Sequence, residues 1–219
     1  MKTCQLKLEL LSSALAGSGQ GYGAIIDSDI VFDDIGIPFI PAKRIKGCLL
    51  DAANEIRDMF KSASICFDLP ISHIFGEVGK EQSAPVYFSN LVIENYDATK
   101  AWLEYFLQSE KYKAFLSKNS ILETFTEIRQ QTRIDENDGT AAEGSLRTSR
   151  MIRKGQVFIG EISVDTSDKE ILETLALACM NFRHFGTNRN RGLGEVRCRL
   201  MDGEKEISAQ SKLEALCNS

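Results

Sequence analysis

Residues 41–60, PAKRIKGCLLDAANEIRDMF, place Ile45, Cys48, Leu49, Ala52, Ala53, Ile56, Met59 and Phe60 on one side of a helix. Pro41 suits the first turn, where its missing N–H leaves nothing unpaired. A helix with one apolar side needs a second layer to cover it. Strand-like segments flank it. CQLKLELLSS (4–13) alternates apolar and polar residues as a half-buried strand does, and VYFSNLVIE (86–94) reads as another strand. The order recurs at the other end of the chain. LRTSRMIRKGQVFIGEISVD (146–165) reads as a hairpin turning near Lys154 and Gly155, DKEILETLALACMNFRHF (168–185) as an amphipathic helix, and GEVRCRLM (194–201) as a last strand.

Strand–helix–strand at both ends predicts an α+β fold of ferredoxin-like plan, an antiparallel sheet with helices on one face. A chain of 219 residues fits one domain, 1–219, with an insertion at about 95–150. Within the insertion, 98–130 reads as broadly helical, with Trp102, Phe106, Tyr112 and Phe115 as packing residues, and RIDENDGTAAEGSL (133–146) as an exposed loop. ISHIFGE (71–77) reads as a short helical turn ending at Gly76.

Composition narrows the function. No apolar run approaches the roughly 18 residues of a membrane span, and the opening MKTCQLKLELL is too charged for a signal peptide. The six cysteines are scattered without a CxxC pair, which argues against a zinc knuckle or a secreted disulfide scaffold and for a cytoplasmic protein. The net charge of −5 argues against indiscriminate nucleic-acid binding. The basic residues are nevertheless segregated. EGSLRTSRMIRK (143–154) and RHFGTNRNRGLGEVR (183–197) each hold four positive charges and one acid, while acids gather in DSDIVFDD (27–34) and IDEND (134–138).

The second basic segment threads Gly186, Gly192 and Gly194 among Arg189, Arg191 and Arg197. Glycine lets backbone N–H groups approach a ligand closely, and arginine adds a planar fork suited to phosphate. The loop follows a helix and enters a strand, the reverse of a dinucleotide-binding loop, and it lacks the lysine and hydroxyl of a P-loop. A helix C-cap at Gly186 and a tight turn at Gly192 account for glycines but for no arginine. A phosphate backbone remains the ligand it suits best.

GTNRNRGLGEV resembles the C-terminal glycine-rich motif of the RAMP superfamily of CRISPR-associated proteins. GSGQGYGAIIDSDIVFDDIGIPFIPAKRIKGCLLDA resembles the superfamily's N-terminal segment, ISHIFGE its short motif ending in Phe-Gly, and RMIRKGQVFIGEI the stretch entering its second half. The nearest likeness is to the subunits of type III effector complexes that line up along a guide RNA. The resemblance implies a modified RRM-like palm gripping guide (CRISPR) RNA, with complementary target RNA and other RAMP and effector-complex subunits as partners, and no membrane. The matching contacts are Lys43, Arg44 and Lys46 at the first helix, and Gly186, Arg189, Arg191, Gly192 and Gly194 in the loop. Residues 133–153 resemble the thumb pushed across a guide–target duplex, with Arg147, Arg150 and Arg153 on phosphates and Met151 as a wedge between bases.

The resemblance further implies an aspartate supporting metal-dependent cleavage of bound RNA. That position falls on Asp27, with Asp29 two residues away and open by spacing. A carboxylate there is suited to holding Mg²⁺ or another divalent cation, or to orienting the attacking oxygen. Two alternatives stand beside this reading. One is an RNA-binding scaffold without activity, in which Asp27 caps its own turn. The other is a metal-free nuclease that processes precursor guide RNA through a histidine, His73 or His184.

Overall fold

A computed structural model describes residues 2–17, 25–65, 67, 69–76, 85–135, 139–165, 168–210 and 213–214. The glycine run 18–24 therefore lies outside the described residues. The principal sheet is built on β1 (Lys2–Leu10), β7 (Val157–Val164) and β8 (Val196–Asp202). β1 lies between β7 and β8 and is antiparallel to both, with Leu6 opposite Gly160 on one side and Leu200 on the other. β3 (Val86–Phe88) and β4 (Leu91–Ile93) both pair with β7, β2 (Phe39–Ile40) adds to β4, and β9 (Lys205–Glu206) to β8. The order β4–β7–β1–β8 is that of a ferredoxin-like sheet.

Alternation along β1 decides which face is covered. Cys4, Leu6, Leu8 and Leu10 are buried, whereas Lys7 pairs with Glu94 and Glu9 with Arg197 and Arg199 on the other face. The two long helices supply the cover. α1 (Ala42–Ser62) buries Ile45, Leu49, Ala52, Ala53, Ile56 and Phe60, and α5 (Lys169–Asn181) buries Ile171, Leu175, Ala178 and Cys179. Each fully buried Ile or Leu contributes about 1.5–3 kcal/mol relative to exposure. α5 starts where Asp168 accepts a hydrogen bond from the Glu170 N–H, an N-cap, and stops at Asn181 rather than reaching 185. Gly186 is therefore not its C-cap.

The strand read over 86–94 is two short strands: between them side chains act as acceptors, the Ser89 hydroxyl for the Glu161 N–H of β7 and the Asn90 side chain for the Ala42 N–H. α2 (Ile71–Phe75) ends at Gly76 as its sequence predicts, at φ 76°.

Between β4 and β7 the chain forms α3 (Tyr96–Gln108), α4 (Lys118–Phe125), β5 (Thr126–Gln131) and β6 (Arg147–Ile152). Two expectations fail here. The helical reading of 98–130 stops at Thr126, where the chain turns into β5 and pairs with β6 over its whole length. The hairpin read over 146–165 does not form: β6 belongs to the β5–β6 ribbon and β7 to the principal sheet. The aromatic residues assigned to packing also behave differently. No residue of α3 is buried, and Trp102 and Phe115 stand exposed. Trp102 instead stacks on Phe106, whose ring meets Tyr112 edge to face.

Candidate functional site

The glycine–arginine segment leaves α5 and makes an excursion closed at its neck. The Phe185 N–H donates to the Gly194 carbonyl at 2.7 Å, and the Val196 N–H to the Arg183 carbonyl at 2.9 Å. Residues 13–15 stitch the same neck, since the Gly194 N–H donates to Ser13 O and the Thr187 N–H to Leu15 O. Beyond the neck, Arg189–Arg191 form one 3-10 turn. The glycines divide by role. A Cβ on Gly186 would strike the Leu15 carbonyl, and one on Gly194 the Phe185 carbonyl, while one on Gly192 would meet open space. All three have positive φ. Gly194→Ala is therefore expected to lower stability by about 2 kcal/mol more than Gly192→Ala, measured by thermal denaturation. Equal melting temperatures for the two variants would contradict this account of the neck.

The second part of the site is the segment around Asp27, laid beside β6. The Asp27 N–H donates to Thr148 O at 2.9 Å, the Thr148 N–H donates to Asp27 Oδ2 at 2.7 Å, and the Arg150 N–H donates to Ser28 O at 3.0 Å. Asp27 and Asp29 then have different fates. The Asp29 side chain is 3% exposed, accepting from Arg150 Nη1 at 2.8 Å and from the Ile30 N–H at 2.8 Å. The Asp27 side chain is 43% exposed, and its Oδ1 faces Arg147 Nη1 at 3.6 Å, beyond hydrogen-bond distance. Spacing left both aspartates open; burial separates them.

The β5–β6 ribbon and the glycine–arginine loop enclose a cleft of about 500 Å³ into which Arg133, Arg147 and Arg191 converge. Arg147 and Arg191 were singled out from sequence; Arg133 was not. Its only sequence signal is its place in QQTR at the start of a polar loop. The loop is better ordered than its composition suggests. Ile134 bridges Ala141, and the Ser145 hydroxyl donates to Ala142 O and accepts from the Arg133 N–H. Residues 136–138 lie outside the described residues.

Three other basic residues read as phosphate contacts, Arg44, Arg150 and Arg153, are engaged within the chain. Arg150 holds Asp29 and is 14% exposed. Arg153 donates through Nε to Thr126 O and through Nη2 to Glu123 O, satisfying carbonyls at the end of α4. Arg44 donates to Gly17 O. At the start of α1, Lys43 is exposed and Lys46 half-buried, and the Ala42 N–H is already taken by Asn90 Oδ1 at 2.8 Å. Met151 cannot wedge between bases: it is 1% exposed and packed with Leu15 and Leu193. The loop's two 3-10 arginines part company. Arg191 faces the cleft, whereas Arg189 lines a smaller hollow against α1 with Cys48. Burial pushes the Cys48 thiol above its ordinary pKa, and the positive charge of Arg189 pulls it part of the way back.

Among the described residues no three His, Cys, Asp or Glu side chains gather as a metal site, and no helix is long and apolar enough to cross a membrane.

The sequence profile of the RAMP superfamily matches residues 7–197. No curated protein sequence matches the chain. Among solved structures, the fold is similar to a chain in the cryo-EM structure of the type III-B Cmr-beta bound to cognate target RNA. That match has 12% identity and a TM-score of 0.67, and covers 91% of this chain and 97% of the other. A chain in the apo state of the type III-B Cmr-beta is also similar, at 14% identity and a TM-score of 0.61, covering 90% and 96%.

Proposed function

The chain belongs to the RAMP superfamily, and from that premise we propose that it is a guide-RNA-binding backbone subunit of a type III CRISPR effector complex. We propose further that it cuts the target RNA paired to the guide. The observation that carries the binding half is the convergence of Arg133, Arg147 and Arg191, from two distant parts of the chain, on one cleft. Glu143 lines the same cleft, so three guanidinium groups stand against one carboxylate there; the surplus is positive, and phosphate accepts the paired N–H groups of arginine.

The cutting half rests on Asp27. Its Oδ2 is fixed by the Thr148 N–H, which sets the direction of Oδ1 toward Arg147, and Arg147 in turn lines the cleft. A Mg²⁺ ion commonly binds one or two carboxylates together with substrate phosphates and water, so a single oriented aspartate suits it where an all-protein cage is lacking. Asp27 would hold such an ion, which supplies Lewis acidity toward the phosphoryl oxygen. The chain's own part is to place the carboxylate, hold the flanking phosphates with Arg147 and Arg191, and keep the Asp27 segment rigid through the Asp29–Arg150 pair. A second reading has an observation of its own. The Asp27–Thr148 hydrogen bond by itself gives the aspartate a structural role, and the chain then binds RNA without cutting it.

Binding is tested by titrating fluorescent single-stranded RNA at several salt concentrations. Arg147→Ala and Arg191→Ala are each expected to weaken binding of every sequence alike and to reduce the logarithmic salt slope by about 0.7. An unchanged slope in both variants would remove the cleft from the RNA path.

A further inference from the structure

Along α1, Arg44, Cys48, Asp51 and Glu55 follow one another at three- and four-residue steps and so share a face. That face starts basic and turns acidic. Opposite its acidic part, the last residue of α5, Asn181, the chain leaving it with Arg183, and the glycine–arginine loop with Arg189 line a hollow of about 270 Å³. This lies just below the roughly 300–1,000 Å³ of drug-sized sites and leaves room for a planar base.

The acidic side is prepared in advance. Asn181 Nδ2 donates to Glu55 Oε2 at 2.9 Å and to the Ala52 carbonyl at 3.2 Å, which ties Glu55 down against α1. Asp51 makes no side-chain hydrogen bond among the described residues. Two carboxylates repel phosphate, yet Arg183 and Arg189 beside them attract it. An occupant that satisfies both has an anionic end and an edge of hydrogen-bond donors. A nucleotide with a donor-rich base has both.

We propose that this hollow reads one base of the bound RNA and selects guanine. Guanine's N1–H and N2 amino group point the same way and donate together to one carboxylate, while Arg183 and Arg189 hold the adjoining phosphate. Adenine and cytosine offer an amino group beside an unprotonated ring nitrogen, hence one donor. Uracil sets two carbonyl oxygens against the acids. The proposal rests on the RNA-binding reading above, and assigns to that RNA a base preference that phosphate contacts cannot generate.

The test uses the full chain and fluorescent oligouridine, with and without one guanosine, together with the same oligomer carrying inosine, which lacks the N2 amino group. The wild type is expected to bind the guanosine oligomer about 10-fold more tightly than oligouridine, with inosine between them. Asp51→Asn and Glu55→Gln, nearly isosteric, should together erase that preference while oligouridine binding stays the same or improves. Arg191→Ala should weaken all three oligomers alike. Equal wild-type binding of guanosine and uridine oligomers overturns base reading and leaves the RNA-binding function standing. Failure to bind any oligomer overturns both. A guanosine preference that survives both amide replacements overturns the assignment of base reading to this hollow.

Discussion

Replacing Asp27 with alanine is expected to lower the rate of cutting of complementary RNA by at least about 100-fold, the usual scale for a lost acid–base or metal-holding carboxylate. Guide-RNA affinity should hold or rise slightly, because the change removes a negative charge 3.6 Å from Arg147 and leaves that guanidinium to the phosphate. Asp27→Asn sharpens the experiment. Its amide oxygen can still accept the Thr148 N–H, so the local geometry survives while the charge is lost. If the asparagine variant cuts at the wild-type rate, the carboxylate has only a structural role. Chelation of divalent ions should reproduce the alanine result in the wild type. A wild type that binds guide and target and never cuts would establish the scaffold reading, with Asp27 as the group that ties its segment to β6.

The largest effect on stability is expected two residues further on. Asp29→Ala strands the Arg150 guanidinium, 14% exposed, with its partner gone, and breaking a buried pair from one side costs about 3–5 kcal/mol. For a chain of this size that corresponds to a fall of about 10 °C in melting temperature. Asp27→Ala, which loses one hydrogen bond at a half-exposed carboxylate, should cost only about 1 kcal/mol. The double change Asp29→Leu with Arg150→Met removes both charges and should recover most of the loss. A fall below about 3 °C for Asp29→Ala would mean that water reaches Arg150 and the pair is not buried in solution. The comparison also decides which aspartate matters where: one variant is expected to fold and not cut, the other to unfold early.

Local periodicity made the two helices and the strands that frame them legible. In α1 the apolar residues recur every three to four positions, and in β1 they alternate, so each element carries its own signature whatever surrounds it. β5 carries none. TEIRQQ has one large apolar residue, Ile128, and leaves it exposed, because a two-stranded ribbon at the surface has little to bury, and only its pairing with β6 makes it a strand. The turn signal at Lys154 and Gly155 was real and its meaning misleading. The Gly155 N–H donates to Leu10 O, and from there β7 joins β1 while β6 returns to β5. Which strand a strand pairs with is settled by contacts far along the chain.

The same division holds for the candidate site. The glycine–arginine loop stood out in the sequence because glycine and arginine signal their chemistry by type, and Asp27 because the resemblance to the RAMP superfamily places an aspartate there, with Asp29 two residues away. The sequence by itself therefore determined the two long helices, the strands that frame them and the basic segments and, through that resemblance, the two aspartates worth testing. Only the tertiary structure decided that Asp29 is buried against Arg150 while Asp27 faces outward, that Arg133 joins Arg147 and Arg191, and that Met151 lies in a core. The reason is physical: side-chain type is a local property, but burial and ion pairing depend on which distant segment arrives alongside.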